Sequence, residues 1–224
     1  MLASTTIALL LADARLPSGG HAHSAGMEPA LLGGLRRDDI PAFLLGRART
    51  TAAVEAGTAV AARHSFLHGA SVASAREVEA AWAARTPSAA VRDAARLLGR
   101  GYLRLSLRTW PDDPALAVCA ALDRPPRAIV LGAIAAATRM DPADLVRLVF
   151  YDEVQSAASA VLKLDPLDPA IPVSWVLDTC AAVDSRVDSL AAVTSPDAIP
   201  AAGAPQAEGW AEAHALLTQR LFRA

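Results

Sequence analysis

From Val146 to Leu164 the apolar residues Val146, Phe150, Val154, Ala157, Val161 and Leu164 advance by threes and fours, laying one apolar stripe along a helix of several turns. A stripe of that length must pack against other elements, so the chain has to build its core around at least one long helix. Asp141-Pro142 opens the helix. The aspartate offers an acceptor to an otherwise unpaired N–H, the proline sits where a missing N–H costs nothing, and Asp144 adds negative charge where the helix dipole favours it. Asp165-Pro166 and Asp168-Pro169 close it.

The same punctuation recurs along the chain. An apolar stretch from Ile7 to Ala12 ends at Asp13, and Leu16-Pro17-Ser18-Gly19-Gly20 breaks regular structure after it. Asp38-Asp39 with Pro41 opens a long Ala-rich helix to about His68, stopped by Gly69. Ser74-Ala75-Arg76-Glu77 reads as a capping box. An Arg-rich helix follows Pro87 to about Thr109, Asp112-Asp113-Pro114 starts a short one, and Pro125-Pro126 marks a joint. A further helix is expected from Val173 to Val193, a flexible Pro/Ala/Gly-rich linker near 195–206, and a last helix from Glu208 to Gln219 before the tail. Ala and Leu dominate the apolar residues while aromatics make up 4%, a composition that favours helix over strand. The expectation is an all-α fold, a single domain over 1–224 built as a helical bundle of about eight to ten helices.

Lys and Arg number 21 against 23 Asp and Glu, so the formal net charge of −2 gives no overall attraction for nucleic acid or anionic membranes. Cys119 and Cys180 stand far apart, without metal-knuckle spacing or a disulfide framework, which fits reduced thiols. The apolar run from Leu2 to Ala12 is far shorter than the ~20 residues a membrane helix needs and lacks a basic leader, so a cytoplasmic location is expected.

Three features carry chemistry. The loop from Arg15 to Glu28 combines Pro17, Gly19, Gly20 and Gly26 with His21, His23 and Ser24, the backbone freedom and polar side chains of a binding loop. Ser24 is placed to cap the next helix, with Glu28 in or near its first turn. Ala22-His23-Ser24-Ala25-Gly26 faintly echoes a hydrolase nucleophile elbow, but that turn requires a preceding strand that the sequence does not supply. His64 and His68, four apart on one helical face, join His21 and His23 as the candidate metal ligands, without a completing cysteine or carboxylate at suitable spacing. Arg92, Arg96, Arg100, Arg104 and Arg108 form a basic ridge, which is either solvated or paired with carboxylates on neighbouring helices, or else meets an acidic or phosphate-bearing partner surface. Gly99 and Gly101 flank Arg100 inside this helix, where glycine is unfavourable unless another backbone comes close.

The loop Leu16-Pro17-Ser18-Gly19-Gly20-His21-Ala22-His23-Ser24-Ala25-Gly26-Met27-Glu28 resembles the signature of the F-type urease accessory proteins, the UreF family. Leu97 to Leu105 with Trp110-Pro111, Asp141-Pro142 with Tyr151-Asp152-Glu153-Val154, and the end Gln219 to Ala224 are similar to later segments of that family, in the expected order. His21 departs from the aromatic residue common there, and Leu167-Asp168-Pro169 stands where many members carry a Gly-Gln pair. The resemblance implies a homodimeric, all-helical, non-enzymatic scaffold that joins the D-type (or H-type, UreD/UreH) accessory protein and the G-type (UreG) GTPase. That assembly delivers nickel to apo-urease, and no tightly bound cofactor is implied in this subunit. The residues expected to meet partners are Pro17, Gly19, His23, Ser24, Gly26 and Glu28 in the loop, Arg100 and Arg104 on the ridge, and Arg220, Leu221, Phe222 and Arg223 in the tail. The alternative is a nickel-binding chaperone working through its histidines. The Leu221-Phe222 pair either enters the protein's own core or stays mobile until a partner orders it.

Overall fold

The computed structural model describes residues 3–218 together with 221 and 222. Among them the chain is all α, without a β-strand. The helices are α1 (Ser4–Ala12), α2 (Met27–Leu32), α3 (Ile40–Arg49), α4 (Thr51–Leu67), α5 (Val72–Ala84), α6 (Ala89–Thr109), α7 (Pro114–Ala120), α8 (Arg127–Thr138), α9 (Pro142–Leu164), α10 (Ala170–Val183), α11 (Val187–Ala191) and α12 (Pro205–Ala215). Nine of these have nine residues or more.

Two of the expected caps hold, while Asp39 stands before α3 without a side-chain cap and pairs with Arg36 instead. Asp141 accepts the Ala143 N–H at 2.8 Å to start α9, and Asp113 takes the N–H groups of Ala115 and Leu116 to start α7. Other boundaries move. The single long helix expected up to His68 is two, because Thr50 breaks it (φ −113°, ψ −92°) and its hydroxyl satisfies the Gly46 carbonyl at the end of α3. The cap of α5 is Ser71, whose hydroxyl receives the Ser74 N–H, so Ser74 lies inside the helix rather than before it. The expected Val173–Val193 helix is α10 and α11 with a tight turn between them, and α10 begins earlier because Pro172 fits its first turn. The last helix starts at Pro205 and ends at Ala215; Gln219, its expected end, lies outside the described residues.

The core is centred on α8, which the reading of the sequence did not assign. Residues 127–136 of this helix are all buried, and it packs against α4, α6, α7 and α9. Helix α4 is buried from Ala52 to Ala62, and its run of alanines lets α8 approach so closely that a β-carbon at Gly132 would sit 2.6 Å from the Ala62 methyl. Helix α9 lies against α1, α3, α10 and α11, burying Val146, Phe150, Val154, Ala157 and Val161 of the stripe. The stretch near 195–206, expected as a flexible linker, is strapped across α4 and α5. Ile199 is buried, its carbonyl accepts the Arg85 Nε–H at 2.9 Å, and Pro200 rests on Gly57. Among the described residues no helix is long and apolar enough to cross a membrane.

Candidate functional site

Five charged side chains meet where α3, α4, α8 and α9 converge. Arg127 opens α8 and is 3% exposed; it donates to Glu153 at 2.5 Å and Asp152 at 2.6 Å, with Glu55 at 3.7 Å. Arg47 of α3 holds the other oxygen of Glu153 at 2.8 Å, and Glu55 accepts the Trp82 indole N–H at 2.6 Å. Two guanidiniums thus serve three carboxylates. Burial works against the Arg127 charge, but Glu153, Asp152 and Glu55 more than offset it and raise its pKa above the ordinary arginine value. Burial also opposes ionisation of Glu153, yet Arg127 and Arg47 outweigh it and hold the carboxyl at about 2. Glu55 and Asp152 are raised, chiefly by burial. An aspartate–glutamate pair between Phe150 and Val154, in the middle of an apolar stripe, was the sequence signal for this cluster. Arg127 at the head of an otherwise apolar run was its counterpart.

The glycine-rich loop lies over this cluster. Gly20–Ala22 form one 3-10 turn, and Ala25 and Gly26 both take left-handed φ values (45° and 82°) that turn the chain into α2. Ser24 is fully buried and its hydroxyl accepts the Glu28 N–H at 3.2 Å, which fits the capping role expected of it. Gly101 of α6 is where the loop rests: a β-carbon there would run into the Ser18 carbonyl, and one at Gly99 would meet the Pro125 carbonyl. Close backbone approach is the reason for two glycines inside α6. Arg104 reaches the Pro17 carbonyl at 3.4 Å, and Pro17 itself is exposed.

Glu28 joins this loop to the tail. It is 4% exposed, accepts the backbone N–H groups of Leu221 and Phe222 at 2.8 Å each, and lies 3.1 Å from Nε2 of the buried His214. The Leu-Phe pair divides. The Phe222 ring enters the core with Lys163 Nζ 5.2 Å above it, while Leu221 is 70% exposed. Arg220 and Arg223 lie outside the described residues.

The ridge divides as well. Arg92 donates to the Thr86 and Pro87 carbonyls, and Arg96 pairs with Glu79 at 2.6 Å while lying over Trp82. Arg100, Arg104 and Arg108 face solvent. Segment Ser18–His23 is a shared wall between two clefts. One, of about 230 Å³, runs past Tyr102 and Asp152 to Phe222; the other, of about 190 Å³, contains Arg100 and Arg104. His21 and the buried His23 border both. His64 and His68 stack at the end of α4 with ring centroids 4.0 Å apart, and burial lowers the pKa of His64. Among the described residues no three His, Cys, Asp or Glu side chains converge as a metal-binding group. Cys119 and Cys180 are free thiols, and burial pushes Cys119 up to about 12.

This packing ranks substitutions in the loop. Gly26→Val forces a branched residue to φ +82° with its β-carbon 2.9 Å from an Arg47 nitrogen, and Gly101→Val drives the loop off α6. Each is expected to lower stability by about 2–3 kcal/mol or more in urea unfolding. Ser24→Ala should cost about 1–2 kcal/mol through the unpaired Glu28 N–H. Equal losses for all three would show that loop seating does not depend on the two glycines.

A family model described as UreF matches residues 36–171. The chain is 37% identical to the urease accessory protein UreF of Mycobacterium marinum over 183 residues, which cover 79% of this chain and 82% of that protein. It is 37% identical to UreF of Mycobacterium sp. (strain JLS) over 171 residues, covering 75% and 76% of the two chains. UreF of Mycolicibacterium vanbaalenii is 36% identical over 170 residues, covering 75% and 77%. With the loop, the glycine-flanked Arg100 and the Asp152-Glu153 pair each in a defined structural place, the chain belongs to the UreF family of urease accessory proteins.

Proposed function

We propose that this protein is a non-catalytic scaffold of urease maturation, acting in the cytoplasm as a homodimer that bridges the D/H-type accessory protein and the G-type GTPase. The assembly delivers nickel to apo-urease, and nickel is cargo of the complex rather than a resident ion of this chain. The observation that carries the reading is the close seating of the loop. It is held on α6 through Gly101, tied to the tail through Glu28, and set against Arg47 at Gly26, while Arg100, Arg104 and Leu221 are left exposed around it. A surface of fixed backbone with exposed charged and apolar side chains suits recognition of other proteins.

Cells carrying the whole urease operon with this gene deleted test the proposal. Urease purified from them should be folded and assembled but nickel-poor and inactive, and the wild-type chain supplied on a plasmid should restore both metal and activity. Full nickel content in the deletion strain at ordinary nickel supply would overturn the assignment.

A further inference from the structure

We infer that the cleft between the loop and α6 is a carboxylate-binding site that takes an acidic peptide segment of a partner protein; this deepens the scaffold reading and rests on it. The cleft holds about 190 Å³, enough for one or two side chains. Arg100 and Arg104 stand one helical turn apart on its α6 side, His21 lies on the opposite wall, and no Asp or Glu lines it. Among the described residues Arg100 makes no ion pair or hydrogen bond, and Arg104 makes only the long bond to the Pro17 carbonyl. Arg92 and Arg96 are satisfied within the chain and Arg108 lies outside the cleft, so Arg100 and Arg104 are the ridge guanidiniums left for a ligand there.

The shape of the cleft sets the ligand class. On open surface an Arg–carboxylate pair is worth little, because water and salt screen it. Here the guanidiniums border a concave site with Leu97 and Leu98 in its lining, which limits water around a bound carboxylate and offers contact to an aliphatic stem. A glutamate side chain, or an aspartate beside an apolar residue, satisfies both halves of the lining, whereas inorganic phosphate has nothing to set against the leucines. Gly101 holds the opposite wall in place by admitting the Ser18 backbone, so the site exists before the ligand arrives.

The test uses the full chain and a labelled, end-capped peptide alternating glutamate and leucine, read by fluorescence anisotropy. Wild-type protein should bind it, more weakly as salt rises, and should not bind the matching glutamine–leucine peptide. Arg100→Glu/Arg104→Glu should reduce affinity at least about tenfold, while Arg76→Glu, an exposed arginine on α5, should leave it unchanged. Circular dichroism of the double variant should match wild type, and Arg100→Gln serves if the double variant does not fold. Unchanged binding by the Arg100 variants, equal binding of the neutral peptide, or displacement by inorganic phosphate at equimolar concentration would overturn the inference. Binding is read on the isolated chain, so its failure is separable from the outcome of the gene deletion.

Discussion

Arg127→Ala is expected to leave the protein unable to fold stably at neutral pH. Arg127 is the common partner of Glu55, Asp152 and Glu153, and its removal leaves Arg47 alone to serve three carboxylates in the interior. Breaking a buried ion pair by removing one member costs about 3–5 kcal/mol, a large part of the whole stability of a domain this size. The readout is soluble yield and thermal melting. Arg127→Lys keeps a charge but loses the planar fork that reaches Glu153 and Asp152 together, so it should fall between wild type and alanine. Adding Glu55→Gln to Arg127→Ala should recover part of the loss, because Glu55 is then no longer a stranded charge while Arg47 still serves Glu153. A melting temperature for Arg127→Ala within a degree or two of wild type would show that water reaches the cluster.

The same cluster gives a pH dependence with a definite sign. Glu153 is held at about 2 in the folded state, below its ordinary value of 4.5. Its contribution to stability is therefore complete above pH 4.5 and is lost as pH falls from there through about 2. Glu55 and Asp152 act in the opposite direction, since burial raises both and acid relieves the cost of keeping them ionised. Glu153→Gln isolates the first effect: the stability gap between wild type and this variant should narrow steadily on acidification below pH 4.5. A gap that does not change with pH would mean that Glu153 is not held ionised by Arg127 and Arg47.

The legible parts of this fold are those governed by local rules. Asp141, Asp113 and the apolar stripe of α9 act within one or two turns of themselves, so cap and spacing identify them without the rest of the chain. Helix α8 escaped because it is apolar on every side; a helix buried all round has no amphipathic period to detect. The break at Thr50 escaped because threonine is no strong helix breaker, and its position depends on how α3 and α4 pack. The loop could be recognised by its glycines, and the two glycines of α6 announced a close backbone, but nothing local says that the backbone is Ser18. Pairings such as Arg127 with Glu153, or Glu28 with Phe222, join residues 26 and 194 apart and exist only once α8, α9 and the tail are in place.

Truncation after residue 220 should destabilise the protein clearly, since Phe222 is a core residue at the very end of the chain. Burying such a ring is worth about 1.5–3 kcal/mol. The two N–H groups it and Leu221 give to Glu28 matter as much, because without them a carboxylate that is 4% exposed keeps only the imidazole of His214 nearby. An ionised group left so under-served costs about 1–3 kcal/mol more. At roughly 2–4 °C per kcal/mol for a chain of this size, the melting temperature should fall by roughly 5–24 °C. Glu28→Gln should reproduce part of that fall with the tail still attached, because the amide oxygen can accept from one of the two N–H groups while its NH2 is turned against the other. Leu221 separates stability from recognition. Its side chain is 70% exposed, so Leu221→Asp should leave the melting temperature nearly unchanged, yet weaken co-purification with the D-type accessory protein if that surface is the docking face. A truncated protein that melts with wild type would place the tail outside the core, and its whole effect would then have to be read at the partner.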